Sequence, residues 1–297
     1  MKNKWVWIAL GGTIGFLFLF AFSVFVATAL IGGGKTFVGG SGVGLVEVKG
    51  LIIDSQELVR ELSDFKKDDR VKAVVLRIDS PGGVVGPSQE IYAEVKKLAA
   101  RKKVVVSMGS IAASGGYYIA APASLILANP GTITGSIGVL MRFSNLEGLM
   151  GKIGMKAFTL KTGKFKDVGS PVRPMTDQDK EMLQNVIDNT HSQFVKAVAE
   201  GRKLPFADVK AIADGRIFTG EQAVALKLVD RLGTLQDAID EAGRLGGIKG
   251  EPELIRPMKK KKLLLDMLVE ETAAKLGIIA RQEHEFSVNY ELEGAGR

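Results

Sequence analysis

From Gly44 onward the chain alternates short β-branched runs with segments whose apolar residues recur every three or four positions. This is the rhythm of an α/β domain. Val46–Ile53, Val71–Ile78, Val104–Met108 and Leu125–Leu127 read as strands. A helix is expected from near Asp54 or Ser55, whose side chains accept N–H groups at a helix start, and another from near Pro87, which suits a first helical turn. A long helix over residues 176–203 places Leu183, Ile187, Thr190, Phe194 and Ala197 on one stripe, with shorter helices at Phe206–Ala213, Gly220–Leu226 and Leu235–Leu245. Lys156–Leu160 also reads as a strand. Pro252 and Pro257 interrupt the chain before the basic run Lys259–Lys262. A last helix puts Leu265, Leu268, Val269 and Leu276 on one face, and the chain after Arg281 reads as loosely ordered. There is no internal repeat.

The N-terminal part has a different pattern. Trp5 to Ile31 contains no charged residue and exceeds the ~20 residues that a bilayer span needs, so it predicts one transmembrane helix. Lys2 and Lys4 precede it with no comparable cluster directly after, which orients the N-terminus to the cytoplasm and the remainder to the extracytoplasmic side of a bacterial-type cell membrane. Ala27-Thr28-Ala29 resembles a leader-cleavage site, but the apolar stretch before it is longer than that of a cleavable leader, so an uncleaved anchor is expected. Gly32-Gly33-Gly34 and Gly39-Gly40-Ser41-Gly42 then form a tether. The expected organisation is an anchor over 1–31, a linker over 32–44, a main domain over 45–250 and a C-terminal helix and tail over 251–297.

Composition narrows the chemistry. The 297 residues include no cysteine, which excludes thiol catalysis, disulfides and Cys-ligated zinc. His191 and His284 lie far apart and outside any H-E-x-x-H pattern, so neither a metal nor another cofactor is expected. Of the net charge of +7, Lys2, Lys4 and Lys35 supply three, leaving the rest only mildly basic. Nucleic acid is not the expected partner.

Ala112-Ala113-Ser114-Gly115-Gly116-Tyr117-Tyr118 follows a strand and opens a helix. A serine at such a turn, flanked by small residues, exposes its hydroxyl while the next backbone N–H and the helix start face a developing oxyanion. The same pattern also suits a capping serine in an ordinary small-residue turn. Asp79-Ser80-Pro81-Gly82-Gly83 sits after another strand; it reads either as a β-turn or as a place where a backbone N–H can approach a substrate carbonyl unobstructed. Both signals fall at strand ends, where α/β folds build sites. The hydroxyl needs a base. His191 lies beside an apolar helical stripe and His284 in the tail, which leaves a lysine with a lowered pKa, and Thr162-Gly163-Lys164-Phe165-Lys166-Asp167 is a lysine-bearing loop.

Together, S-P-G-G (Ser80–Gly83), A-A-S-G-G-Y-Y (Ala112–Tyr118), T-G-S-I-G (Thr134–Gly138), T-G-K-F-K-D (Thr162–Asp167) and R-I-F-T-G-E-Q-A (Arg216–Ala223) resemble the signal peptide peptidase A family in its short, single-copy form. The resemblance spans roughly residues 45–245. It implies a ClpP/crotonase-like fold of repeated β-β-α units behind a membrane anchor, and a Ser/Lys peptidase. Carried over by position, it makes Ser114 the nucleophile, Lys166 the general base with Lys164 as its near competitor, Ser136 the hydroxyl that orients the lysine, and Gly83 and Gly115 the oxyanion-hole donors. It further implies rings or domes of identical subunits with serine and lysine supplied by neighbours, and substrates such as signal peptides released in the membrane. Two other readings are a ClpP-class protease acting on a membrane scaffold protein, and a crotonase-like acyl-CoA-binding protein without peptidase activity. Lys259–Lys262 reads as a solvated basic run, with contact to anionic lipid as its alternative.

Overall fold

The computed structural model describes residues 15–23, 41–257 and 289–291. Residues 15–23 form helix α1 with exposed side chains; the rest of the expected anchor, the tether up to residue 40 and the expected helix around Leu265–Leu276 lie outside the described residues. Among the described residues no helix is long and apolar enough to cross a membrane. The chain divides into two units, residues 1–40 and 41–297, and the second carries the fold.

Strand β1 (Gly42–Lys49) begins inside the expected linker and runs parallel to β2 (Val71–Ser80), which runs parallel to the long β4 (Lys103–Ala113). β4 changes neighbour along its length: Val105–Ser107 pair with β5 (Leu125–Ala128) and Ile111–Ala113 pair with β6 (Ile133–Gly135). β7 (Ile217–Thr219) closes one edge antiparallel to β6, β8 (Arg231–Leu232) extends β5, and β9 (Glu253–Ile255) adds to β1. The sheet therefore includes residues beyond Gly250, the expected end of the main domain.

Alternation along the strands explains why their sequences are apolar almost throughout. Val46, Val48, Val74, Leu76, Ile78, Val104, Val106 and Met108 face a large core formed with α2 (Gln56–Lys67), α3 (Val85–Ala99), α4 (Gly115–Ala120) and α6 (Asp177–Arg202). Val43, Leu45, Ala73, Val75 and Val105 face the other way, onto Ala238, Ile239 and Ala242 of α9 (Leu235–Leu245). Helices on both faces of a mainly parallel sheet require this double-sided burial. The core half of α6 buries Leu183, Thr190, Phe194, Val195 and Val198, while Ile187 of the expected stripe is only half-buried. Thr176 and Asp179 close a capping box at its start. The remaining helices are α5 (Glu147–Lys152), α7 (Phe206–Ile212) and α8 (Gly220–Ala225).

Two expectations are corrected. Lys156–Leu160 is not a strand: residues 155–161 have no regular structure, Phe158 is 88% exposed and Leu160 fully so. The apolar alternation is present, but among the described residues no strand edge pairs with it. The chain after Arg281 holds order where it is described, since Asn289–Glu291 form β10, antiparallel to the three-residue β3 (Gly82–Val84).

Candidate active site

The site grows from the shared ends of β4 and β6. Ala113 is in register with Gly135, so the residues that follow, Ser114 and Ser136, leave adjacent parallel strands side by side. Both have left-handed backbones, with φ of 54° at Ser114 and 50° at Ser136. Side chains with a Cβ adopt that region at a cost, and it persists only where the surroundings impose it. Here the surroundings are hydrogen bonds. The Ser114 N–H donates to the Gly135 carbonyl (2.8 Å), the Tyr118 N–H donates to the Ser114 carbonyl (2.8 Å), and the Ser136 N–H donates to the Arg216 carbonyl (2.9 Å). Ser114 is buried, and its side chain makes no capping bond to α4. The capping alternative for this serine is thereby set aside.

Glycine lets α4 start where it does. A Cβ on Gly116 would stand 2.8 Å from the Ser80 carbonyl oxygen, so the first turn of α4 lies directly on the end of β2. Ser80 is buried, and its hydroxyl accepts the Gly82 N–H at 3.1 Å. Asp79 Oδ1 accepts the Ile111 N–H at 3.1 Å, tying β2 to β4 near the same end. These bonds hold the Gly82-Gly83 segment at the end of the sheet that carries Ser114. Below the site, burial raises the Tyr117 phenol far above its ordinary pKa and pushes Tyr118 up to about 12; Tyr117 donates to the Leu228 carbonyl (2.8 Å). Both rings are part of the core and neither serves as an acid or base near neutral pH.

The R-I-F-T-G-E-Q-A motif is a brace. Ile217 pairs with Gly135, Arg216 supplies the carbonyl that fixes Ser136, and Thr219 and Gln222 form the capping box of α8. The lysine loop is placed differently. Lys166 is exposed and has neither a hydrogen bond nor an ion pair among the described residues, and Lys164 lies over the Phe165 ring at 5.5 Å. The structure thus brings Ser114, Gly115 and Ser136 together, with Gly83 on the adjoining strand, and leaves Lys166 on an outlying loop. That loop is pinned by a cluster the sequence did not reveal. Arg173 grips Asp167 through two bonds (Nε to Oδ2 3.0 Å, Nη2 to Oδ1 2.9 Å) and reaches Asp179 through Nη1 (2.6 Å), and Lys161 also contacts Asp167. The Arg173 guanidinium is the main reason both carboxyls lie well below the usual carboxylate range. Between Lys164-Phe165 and the first half of α6 lies an open cleft of about 610 Å³. His191 is half-buried on α6, where its Nε2 is buried without a hydrogen-bond partner. Among the described residues no group of acidic or histidine side chains is placed to hold a metal ion.

Comparison with known proteins decides the family. Residues 96–249 match the model of peptidase family S49, and residues 53–126 match that of Clp protease. The chain belongs to peptidase family S49. It is 47% identical over 204 residues to the protease-named slr0021 protein of Synechocystis, covering 68% of this chain and 74% of that one. It is 34% identical over 281 residues to a protein of Enterococcus faecium named signal peptide peptidase SppA, covering 80% of each. Protease 4 of Salmonella typhi is 37% identical over 220 residues, 71% of this chain but only 35% of that longer protein. This S49 member is therefore a serine peptidase of the SppA type, with the parallel-rich α/β sheet and Clp-like segment described above.

Proposed function

We propose that this S49 peptidase cleaves apolar peptides, such as signal peptides released in a membrane, by a Ser114/Lys166 dyad on the extracytoplasmic side, tethered through its N-terminal apolar segment. The observation that carries the reading is the pair of serines at positive φ on adjacent strand ends, held by backbone bonds beside a helix start. Ser114 attacks the scissile carbonyl. The Gly115 and Gly83 N–H groups receive the oxyanion, and the neutral Lys166 amine takes the hydroxyl proton and later activates water. Ser136 orients that amine.

The exposed position of Lys166 supports a dyad completed between copies. The segment that carries it also exposes Leu149, Ile153, Met155, Phe158 and Leu160, apolar surface of the kind a second subunit covers. The dyad is tested with a fluorophosphonate probe and a synthetic signal peptide. Ser114→Ala abolishes both labelling and hydrolysis while the fold is kept, because alanine fits the small-residue turn. Lys166→Ala abolishes hydrolysis, whereas Lys164→Ala and His191→Ala keep substantial rate. Hydrolysis by Ser114→Ala, or a dead His191→Ala, would overturn the assignment.

A further inference from the structure

Strand β3 has two edges, and both are occupied. On one, the Ile52 N–H donates to the Gly82 carbonyl (2.9 Å) and the Val84 N–H donates to the Ile52 carbonyl (2.8 Å). A Cβ on Gly83 would lie 2.1 Å from that Ile52 carbonyl oxygen, so only glycine allows this approach. Successive residues of a strand direct their peptide groups to opposite edges, so the N–H and carbonyl of Gly83 point away from Ile52. There the chain's own β10 runs antiparallel, with Asn289 opposite Val84, Tyr290 opposite Gly83 and Glu291 opposite Gly82. In an antiparallel ladder, the residue facing an inward-directed peptide group exchanges both N–H···O bonds with it. Tyr290 is that residue. Its backbone meets the N–H assigned to the oxyanion hole.

We propose that the C-terminal strand around Tyr290 is a built-in occupant of the substrate's place, so that peptides must displace it before Ser114 can be acylated. The proposal rests on the roles given above to Ser114 and Gly83. An extended peptide joining a free strand edge is held by main-chain bonds, which β10 satisfies with no demand on side chains. Three residues make a short ladder, weak enough to be displaced. Yet the tail is joined to the domain by residues 258–288 and so competes at the high effective concentration of a tethered ligand. An occupant present nine-tenths of the time raises the apparent KM about tenfold and leaves kcat unchanged, since only the open fraction binds substrate.

Two measurements on the full chain test this. The natural chain has no cysteine, so Val84→Cys/Asn289→Cys introduces one defined pair. Directly opposed antiparallel residues have Cα atoms about 4.5–5.5 Å apart, inside the range that a disulfide bridges. Oxidation is expected to give a disulfide within one chain and at least a tenfold loss of peptide hydrolysis, reversed by reductant. Separately, Tyr290→Pro removes the N–H that the Gly83 carbonyl accepts and is expected to lower KM for a synthetic peptide several-fold at constant kcat. A pair that stays reduced or links two chains, or a Tyr290→Pro enzyme with the parental KM, overturns the proposal. Failure of the underlying peptidase reading shows differently: the disulfide forms, but the parent, reduced and Tyr290→Pro proteins all fail to hydrolyse peptide.

Discussion

At the scale of residues, two of the four non-glycine residues with positive φ among the described residues are the serines at the ends of β4 and β6. Each such residue costs about 1–3 kcal/mol of backbone strain, so two in adjacent positions mark a place where geometry is held against local preference. This separates a catalytic hydroxyl from a structural one at Ser136. If the hydroxyl orients the lysine, Ser136→Ala slows single-turnover acylation on the order of tenfold to a thousandfold without abolishing fluorophosphonate labelling, since nucleophile and oxyanion donors remain. Ser136→Gly removes the same hydroxyl but relieves the backbone, so its melting temperature is expected to match or exceed the parent's while acylation is equally slow. Normal acylation in both variants removes Ser136 from the site. The small-residue run around Ser114 was legible in the sequence because close packing at a strand-to-helix turn demands it. Ser80 and Asp79 were not: their work is to accept backbone N–H groups from Gly82 and Ile111, and those partners are set by the fold.

At the scale of elements, the loop that carries Lys166 is fastened to the start of α6. Asp179 accepts the Thr176 N–H (3.0 Å) as part of the helix cap and also receives Arg173, which in turn holds Asp167. One guanidinium thus joins loop and helix in a bidentate geometry that an ammonium cannot reproduce. Because the folded-state pKa values of Asp167 and Asp179 are depressed, their contribution is complete above the ordinary carboxylate value of about 3.9 and is lost as pH falls below it. Hydrogen exchange of residues 161–173 is therefore expected to be constant from neutral pH to about pH 5, after correction for intrinsic rates, and to accelerate as pH is lowered below about 4. Arg173→Ala is expected to lower kcat with little change in KM or in the melting temperature of the core, and Arg173→Lys to restore only part of the rate. Unchanged kcat in Arg173→Ala would separate the clamp from catalysis. The long helices and the two-sided strands could be read from periodicity, but β3, β6, β7 and β8 have two or three residues each, too few for a period to declare itself. Their existence depends on which longer strand lies alongside.

At the scale of the whole molecule, one copy contains the serine pair and the oxyanion donors in ordered form and holds its lysine away in solvent, on a segment studded with exposed apolar side chains. Buried against a second copy, that segment would lose water from Phe158 and Leu160 and carry Lys166 into a drier place, where the neutral amine is favoured. Phe158→Asp and Leu160→Asp are expected to dissociate the assembly in sedimentation and to abolish hydrolysis together, without disturbing the sheet. Mixing separates a shared site from a self-contained one. Ser114→Ala and Lys166→Ala are each inactive, but subunits that exchange between them place an intact serine opposite a neighbour's intact lysine at about a quarter of the junctions of a randomly mixed ring. Activity is expected to appear on mixing, to grow with the time allowed for exchange, and to be absent when Leu160→Asp is added to both partners. If serine and lysine of the same copy form the dyad, the two inactive proteins stay inactive at every ratio.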